Sequence, residues 1–444
     1  MATITRSLSS FAGVGVTSIL PVQPTKLTFD DDDIDQENLL SFYVGTKRGK
    51  MKKVTMNTKT KAHSDDDNVH NIQCIEEGEE AAKKTPYPIF SMMSLSSNYH
   101  HYHHVLSGSG DRYITIWQEQ QDNQQQHHHP NSWKVKAKLG PHTGWVKDLA
   151  SSISPCSDAV REKDDEETYI FSIGCNCIEV WRTVNGQSYD HVHKLMIESS
   201  VEMGSTLSSD ILCLATSPSY HYYNTQQSSS EEETPQDHHS YHLLAGGVDG
   251  RIHQWTIFDN KSFQDAKVVC APGHNGRVNA LLVCNALRAV VSIGNDGFVK
   301  CWKLDGSNES FIERRSCVCS INVNDEYAGG QEEAKMQEAN NTIKLTCSCI
   351  LSETETRSII GIGTACGKVF LAEISKDATS EGMSMTLLDE RIAPVVEKSS
   401  SSSSSGSDTR SCTIHSIASQ NNNIIIGHSQ GISIWEPDLL RTTL

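Results

Sequence analysis

Apolar positions along this chain recur in short runs that alternate with polar residues and stop at Gly, Asp or Asn. Three stretches are near copies of one another: Val105-Leu-Ser-Gly-Ser-Gly-Asp-Arg-Tyr-Ile-Thr-Ile-Trp117, Leu244-Ala-Gly-Gly-Val-Asp-Gly-Arg-Ile-His-Gln-Trp255 and Val291-Ser-Ile-Gly-Asn-Asp-Gly-Phe-Val-Lys-Cys-Trp302. In each, an apolar run meets a Gly/Asp turn and a second alternating run ends in Trp. The offset from Asp to Trp is the same in all three (Asp111 to Trp117, Asp249 to Trp255, Asp296 to Trp302). Period-two alternation on both sides of a Gly/Asp turn predicts a β-hairpin. Weaker copies run from Tyr169 to Trp181, Ile424 to Trp435, Ile359 to Ala372 and Phe42 to Val54.

The equivalent hairpin ends are Val54, Trp117, Trp181, Trp255, Trp302, Ala372 and Trp435. The shortest interval, Trp255 to Trp302, is close to the roughly 40–45 residues of one four-stranded propeller blade. The longer intervals are the same unit with inserted loops. A further apolar segment precedes each hairpin (Trp145 to Ala150, Asp210 to Ala215, Arg277 to Leu282, Ile343 to Cys347, Cys412 to Ile417), and another follows it, as in Trp133 to Leu139 and Ala266 to Cys270. The expected units are residues 9–75, 88–139, 145–198, 210–270, 277–323, 343–391 and 412–436. After Trp435 too little chain remains for a fourth strand, and Ala2 to Leu8 is the segment that supplies it. That closure joins both termini in one blade and removes exposed sheet edges. It is also why residues 2–8 read as a strand and not as a targeting signal. The expected architecture is all-β: residues 1–444 as a single seven-bladed β-propeller of four-stranded antiparallel blades. Polar inserts at about 21–38, 57–68, 119–131, 219–240, 322–341 and 392–410 have too little apolar surface to order themselves.

These residues resemble the WD40-repeat family over nearly the whole chain, inserts excepted. The best match has Gly273-His274, Ser292, Asp296 and Trp302, and the resemblance implies a hydrogen-bonded His–Ser–Asp–Trp tetrad that ties the strands of a blade. The third unit offers His142, Ser172, Asn176 and Trp181, with Asn in place of Asp. The second has Ser107, Asp111 and Trp117 without a clear His, and the fourth has Asp249 and Trp255 with Ala245 in place of Ser. The first and sixth units have no Trp. Recurrence from unit to unit marks this as a structural pattern, since a hydrolase triad gathers once around one open pocket. The resemblance further implies a partner-binding face around the channel mouth. It would be formed by Trp145 and Arg277 before first strands, and by Lys47, Arg48, Arg112, Tyr113, Arg251, Phe298 and Lys368 at second-to-third-strand turns. Trp, Tyr and Arg are the types enriched at binding hot spots.

Charge narrows the partner. The 444 residues hold 38 Lys+Arg against 55 Asp+Glu, a net charge of −17, which repels phosphate backbones and makes nucleic acid an unfavourable partner. A ring of cations on such a chain points to protein partners, specifically acidic or phosphorylated peptides. Lys47, Arg48, Lys50, Lys52 and Lys53 form the densest basic stretch. The 14 Cys have no disulfide-framework spacing. The C-x-C pairs Cys175/Cys177, Cys317/Cys319 and Cys347/Cys349 fall in apparent strands, where i and i+2 share a face, and read as reduced core residues. His100, His101, His103 and His104, between the first two strands of unit two, and His127, His128 and His129, between its last two, are expected to meet on one face as a weak metal- or proton-binding patch. No run approaches the ~18–20 apolar residues of a membrane helix.

The function expected from these features is that of a non-catalytic scaffold or adaptor without cofactor, an intracellular (cytoplasmic or nuclear) subunit of a complex. Two alternatives stand beside it. A substrate receptor of a ubiquitin ligase would show Trp-Asp-x-Arg at third-strand ends, whereas the tails here are Trp117-Gln-Glu-Gln, Trp181-Arg-Thr-Val, Trp255-Thr-Ile-Phe, Trp302-Lys-Leu-Asp and Trp435-Glu-Pro-Asp. An enzyme working in the channel would need a nucleophile, phosphate or metal motif, and none of the common ones is present.

Overall fold

The structure, a computed structural model, describes residues 5–7, 14–22, 39–57, 69–75, 87–97, 102–119, 133–152, 167–197, 210–217, 240–258, 263, 267–304, 317–324, 343–377, 382–392 and 412–437. The inserts named above lie almost wholly outside these ranges.

The described strands form seven four-stranded antiparallel sheets, each built from consecutive strands except the last. Blade 1 is β2 (Val16–Pro21), β3 (Leu39–Thr46), β4 (Met51–Asn57) and β5 (Val69–Ile75). Blade 2 is β6 (Ile89–Ser97), β7 (Tyr102–Ser109), β8 (Ile114–Glu119) and β9 (Trp133–Leu139). Blade 3 comprises β10 (Val146–Ser151), β11 (Glu167–Gly174), β12 (Cys177–Val184) and β13 (Ser188–Met196). Blade 4 comprises β14 (Ile211–Ser217), β15 (Ser240–Gly247), β16 (Arg251–Phe258) and β17 (Lys267–Pro272). Blade 5 follows with β18 (Val278–Cys284), β19 (Ala289–Gly294), β20 (Phe298–Lys303) and β21 (Cys317–Asn322), and blade 6 with β22 (Leu345–Thr354), β23 (Arg357–Thr364), β24 (Lys368–Lys376) and β25 (Met383–Ile392). Blade 7 takes β26 (Ile414–Gln420), β27 (Asn423–His428) and β28 (Gly431–Trp435) from the C-terminal end of the chain. Its outer strand is β1 (Thr5–Ser7), which pairs with β28 in the register Thr5↔Trp435, Arg6↔Ile434 and Ser7↔Ser433. The ring closes here: each first strand lies against the next, and β26 lies against β2.

The alternation read from the sequence marks which neighbour each side chain meets, and not a wet and a dry face. Every residue of β19 is buried, as is every residue of β27 and β28, because both faces of a second or third strand are covered by adjacent blades. In β19, Val290 packs towards blade 4 with Leu244 and Ile252. Its neighbours Val291 and Ile293 pack towards blade 6 with Ile360 and Phe370. Seven such apolar clusters fill the seven junctions between neighbouring blades. The two blades without Trp fill that place with Val54 and Ala372, both fully buried.

Candidate partner-binding face

Each first strand carries a β-bulge one step from its start, seen as a register shift against the second strand at Val16/Ser18, Ile89/Ser91, Val146/Leu149, Ile211/Cys213, Val278/Ala280, Leu345/Cys347 and Ile414/Ser416. A bulge re-aims the extra residue, and here it aims that residue at the following blade. Thr17 Oγ1 donates to the Ile89 carbonyl, Asn279 Nδ2 to the Leu345 carbonyl (2.5 Å), and Thr346 Oγ1 to the Ile414 carbonyl (2.7 Å). Two other bulge residues make the same reach with different chemistry: Phe90 stacks on Trp145 at 5.5 Å and 20°, and Lys147 Nζ lies 3.8 Å from Asp210.

In six of the seven blades the second-to-third-strand turn is fastened to the residue that precedes the first strand. Backbone bonds run Lys47 N to Gly15 O, Gly110 N to Pro88 O, Val248 N to Asp210 O, Asn295 N to Arg277 O, Ala365 N to Lys344 O and Ser429 N to Thr413 O. Turns and first-strand approaches therefore lie on one face. Blade 3 lacks this bond. Its turn holds only Cys175 and Asn176 between Gly174 and Cys177, where blade 5 holds Asn295, Asp296 and Gly297 between Gly294 and Phe298.

That shorter turn also decides the fate of the tetrads. In blade 5 the His274 ring joins Ser292 Oγ through Nε2 (2.8 Å) and Asp296 Oδ1 through Nδ1 (2.9 Å). Trp302 Nε1 donates to the same Ser292 Oγ at 2.9 Å. Contact with His274 holds the Asp296 carboxyl below its usual range against the cost of burial. In blade 3, His142 Nε2 meets Ser172 Oγ at 2.7 Å and Trp181 Nε1 donates to it at 3.1 Å. His142 Nδ1, however, faces the Arg112 carbonyl of blade 2 at 3.0 Å, so Asn176 takes no part. Blade 2 keeps the Trp117 to Ser107 bond (2.9 Å), while Asp111 accepts the Tyr113 amide (3.0 Å).

The partner-face residues fall into two groups. Lys47 and Arg48 are exposed in the β3–β4 turn, Arg112 is exposed in the β7–β8 turn with φ 74°, and Arg277 is exposed just before β18. None of these four has an ion pair among the described residues. Tyr113 and Phe298 are half-buried. By contrast, Arg251 lies 3.8 Å from Asp249, and Lys368 lies 2.8 Å from Glu390. Those two cations already have internal partners. Lys53 likewise pairs with Glu119 at 3.3 Å.

Trp145 is the most exposed large hydrophobic side chain described, at 55%, and Tyr87 follows among the aromatics at 47%. Tyr87 was not read from the sequence; its place beside Pro88 before β6, equivalent to the approach that carries Trp145, is the signal that marks it. The blade 1 turn, Tyr87 and the blade 2 turn are contiguous. A Cβ on Gly49 would sit 2.5 Å from the Tyr87 carbonyl, and one on Gly110 would sit 3.4 Å from the Tyr87 Cβ. The arc continues through the Arg112 carbonyl, which accepts the His142 amide at 2.9 Å, to Trp145 on the same approach. Lys344, exposed before β22, is a further cation at the position equivalent to Arg277.

The histidine patch takes a different form. His103 and His104 stand inside β7 and not in the preceding connection, and as strand neighbours they face opposite blades. His103 stacks against Tyr43 (6.4 Å). His104 is fully buried, with Tyr189 Oη at 2.8 Å and Lys136 Nζ at 3.4 Å from its ring nitrogens. Burial and the Lys136 charge push His104 down to about 4. The remaining five, His100, His101, His127, His128 and His129, lie outside the described residues.

Two of the three C-x-C pairs also depart from the shared-face reading. Cys175 is in a turn with φ 65°, and a bulge at Val318 separates Cys317 from Cys319. Cys347 and Cys349 do share a face, against blade 7.

Two polar groups escaped the sequence reading. Blade 7 replaces the tetrad with a buried chain: Cys412 Sγ lies 3.0 Å from His428 Nδ1, and His428 Nε2 lies 3.0 Å from Ser433 Oγ. Burial pushes His428 down to about 4 and Cys412 up, which favours the neutral form of each. Asp148, on β10, accepts from Ser91 Oγ (2.9 Å), the Leu149 amide (2.9 Å) and the Leu214 amide (2.8 Å), joining three consecutive first strands. Desolvation pushes its carboxyl up to about 6.

No family model and no curated relative matches the sequence. Solved structures do match the fold. The structure of the RRP9 WD40 repeats superposes with a TM-score of 0.52 at 13% identity, covering 98% of this chain and 99% of that one. The structure of U3-55K gives 0.53 at 14% identity, covering 98% of each chain. The chain has the fold of a seven-bladed β-propeller, the architecture it shares with these WD40-repeat structures. No helix among the described residues is long and apolar enough to cross a membrane.

Proposed function

We propose that this chain is a non-catalytic scaffold or adaptor that holds an acidic or phosphorylated peptide segment of a protein partner on the face described above, chiefly over blades 1 to 3. One observation carries the reading: exposed Trp145 and Tyr87 lie on a contiguous arc with Lys47, Arg48 and Arg112, cations that have no ion pair among the described residues. An aromatic step provides large contact area at low entropic cost, and guanidinium forks recognise carboxylate or phosphate oxygens in pairs. Arg277 and Lys344 extend the cationic rim on blades 5 and 6. The net charge of −17 favours a compact acidic peptide met at this local rim over a long nucleic-acid backbone that would also meet the rest of the surface.

Affinity purification from the native cell, followed by mass spectrometry, tests the reading. The wild type is compared with Trp145→Ala/Arg277→Glu and with Trp145→Ala/Arg112→Glu, all shown to melt alike. A stoichiometric protein partner lost from either variant, and released from wild type by rising salt, is the expected result. Identical partner sets from all three proteins would overturn the assignment to this face. Lys368→Ala and Arg251→Ala serve as controls and should retain the partner, because both cations are already internally paired.

A further inference from the structure

The 14 cysteines are unused by the reading above, and on blade 5 four of them stand together. Cys301 on β20 and Cys319 on β21 are directly opposed in the antiparallel register. Such partners hold their Cβ atoms about 4.5–5.5 Å apart, just outside the roughly 3.5–4.5 Å of a disulfide. The adjacent bulge at Val318 is the place where the outer strand has slack to close that gap. The two thiols are near enough for each to shift the other's proton affinity.

The two sites are unequal. Cys301 is fully buried and touches Met383 Sδ of blade 6 at 3.8 Å. Cys319 is half-buried on the outer strand. The neighbouring Cys301 thiol holds Cys319 below its ordinary range against the cost of burial. Cys177, Cys213, Cys284, Cys317, Cys347, Cys349 and Cys412 are all raised, chiefly by burial. A partly exposed thiol directly opposite a buried one is the asymmetry of a sensing and a resolving cysteine, because an oxidant reaches Cys319 before Cys301.

We propose that Cys319 and Cys301 form a peroxide-sensitive dithiol, in which a hydroperoxide oxidises Cys319 and Cys301 resolves it to a disulfide between β20 and β21. The Cys319 sulfur attacks one peroxide oxygen, the O–O bond breaks, and the departing oxygen leaves as water or alcohol once protonated. Cys319 is now a sulfenic acid. The Cys301 sulfur attacks Cys319 Sγ, the sulfenic oxygen departs as water with the Cys301 proton, and an S–S bond replaces the two thiols. The hydroperoxide takes up two electrons overall. Closure draws Cys301 away from Met383, so oxidation loosens the junction between blades 5 and 6.

The test uses the full reduced chain, treated with hydrogen peroxide, quenched with a maleimide and read by peptide mass spectrometry with fragmentation between Cys317 and Cys319. A Cys301–Cys319 cross-link is expected as the first product, ahead of modification at Cys366, which is more exposed. Cys301→Ser is expected to leave Cys319 as a sulfenic acid trapped by dimedone, with no cross-link. Should that variant fail to fold, alkylation of the wild type by iodoacetamide across pH supplies the second measurement, with Cys319 reacting at lower pH than Cys366. The proposal is overturned if Cys319 reacts no faster than Cys366, or if its disulfide partner is Cys317.

Discussion

A single serine hydroxyl in a blade serves two masters, and the cost of losing it depends on how many groups it leaves behind. Ser292 Oγ is the common partner of His274 Nε2 and Trp302 Nε1, whereas Ser107 Oγ serves Trp117 Nε1 and meets no His. All of these groups are buried, and a buried polar group stripped of its partner costs about 1–3 kcal/mol. Ser292→Ala is therefore expected to destabilise the chain by about twice as much as Ser107→Ala, measured as the shift in urea midpoint. Equal shifts would mean that the tetrad is geometric coincidence. At this scale the sequence was readable where the spacing was intact, as with His274, Ser292, Asp296 and Trp302. It misled at Asn176, because a turn one residue shorter re-aims every later side chain while leaving the residue types in plausible order. It was silent on Cys412, His428 and Ser433, which make contact through a pattern no motif describes.

At the scale of the strand, the bulges decide what the propeller can do, and no alternation of apolar and polar residues announces them. A bulge inserts one residue without interrupting the hydrophobic count on either side, so the first strands were legible as strands while the forward reach of Thr17, Phe90, Lys147, Asn279 and Thr346 was not. The same holds for Asp148, which looked like an ordinary polar position of β10 and instead collects donors from β6, β10 and β14. Its pH behaviour follows. The Asp148 carboxyl rises from 3.8 to about 6 on folding. The folded state thus holds that proton more tightly, and the stabilisation, complete below 3.8, is lost as pH rises through about 6. Buried His104 and His428 and half-buried His242 and His415 run the other way. Each is lowered from 6.5 to about 4, so they stabilise the fold above 6.5 and lose that contribution as pH falls towards 4. The two effects oppose each other between neutral pH and about pH 5. Asp148→Asn removes the term that grows on acidification, so its urea midpoint is expected to fall more steeply over that interval than the wild type's. A parallel decline would show that Asp148 does not titrate there.

At the scale of the whole molecule, the fold was legible because repetition is a property of the entire chain and survives the loss of any one signature. Blades without Trp were found from their hairpins, the seven hairpin ends set the expected number of blades, and the need to close the ring assigned residues 2–8 to the last one. The partner face was legible only in part. Residue type identified its cations, but Asp249 and Glu390, which neutralise Arg251 and Lys368, come from neighbouring turn and strand positions that no local pattern links to a binding site. Closure is the feature on which the rest depends. Blade 7 owns three strands from one end of the chain, and β1 is its fourth. Without β1, β28 becomes an open edge, and the sheet that seals β26 against β2 loses the strand that fixes its outer side. Removal of residues 1–8 is expected to lower the Tm, although the shift per kcal/mol is smaller in a long chain than in a small domain. It is also expected to expose blade 7 to proteolysis before the other blades. A synthetic peptide of residues 1–8 added in trans should restore part of the loss, because a ligand that binds only the folded ring stabilises it in proportion to its concentration. An unchanged Tm in the shortened chain would show that three strands suffice for blade 7 and that the ring is held shut by the contact of β26 with β2 alone.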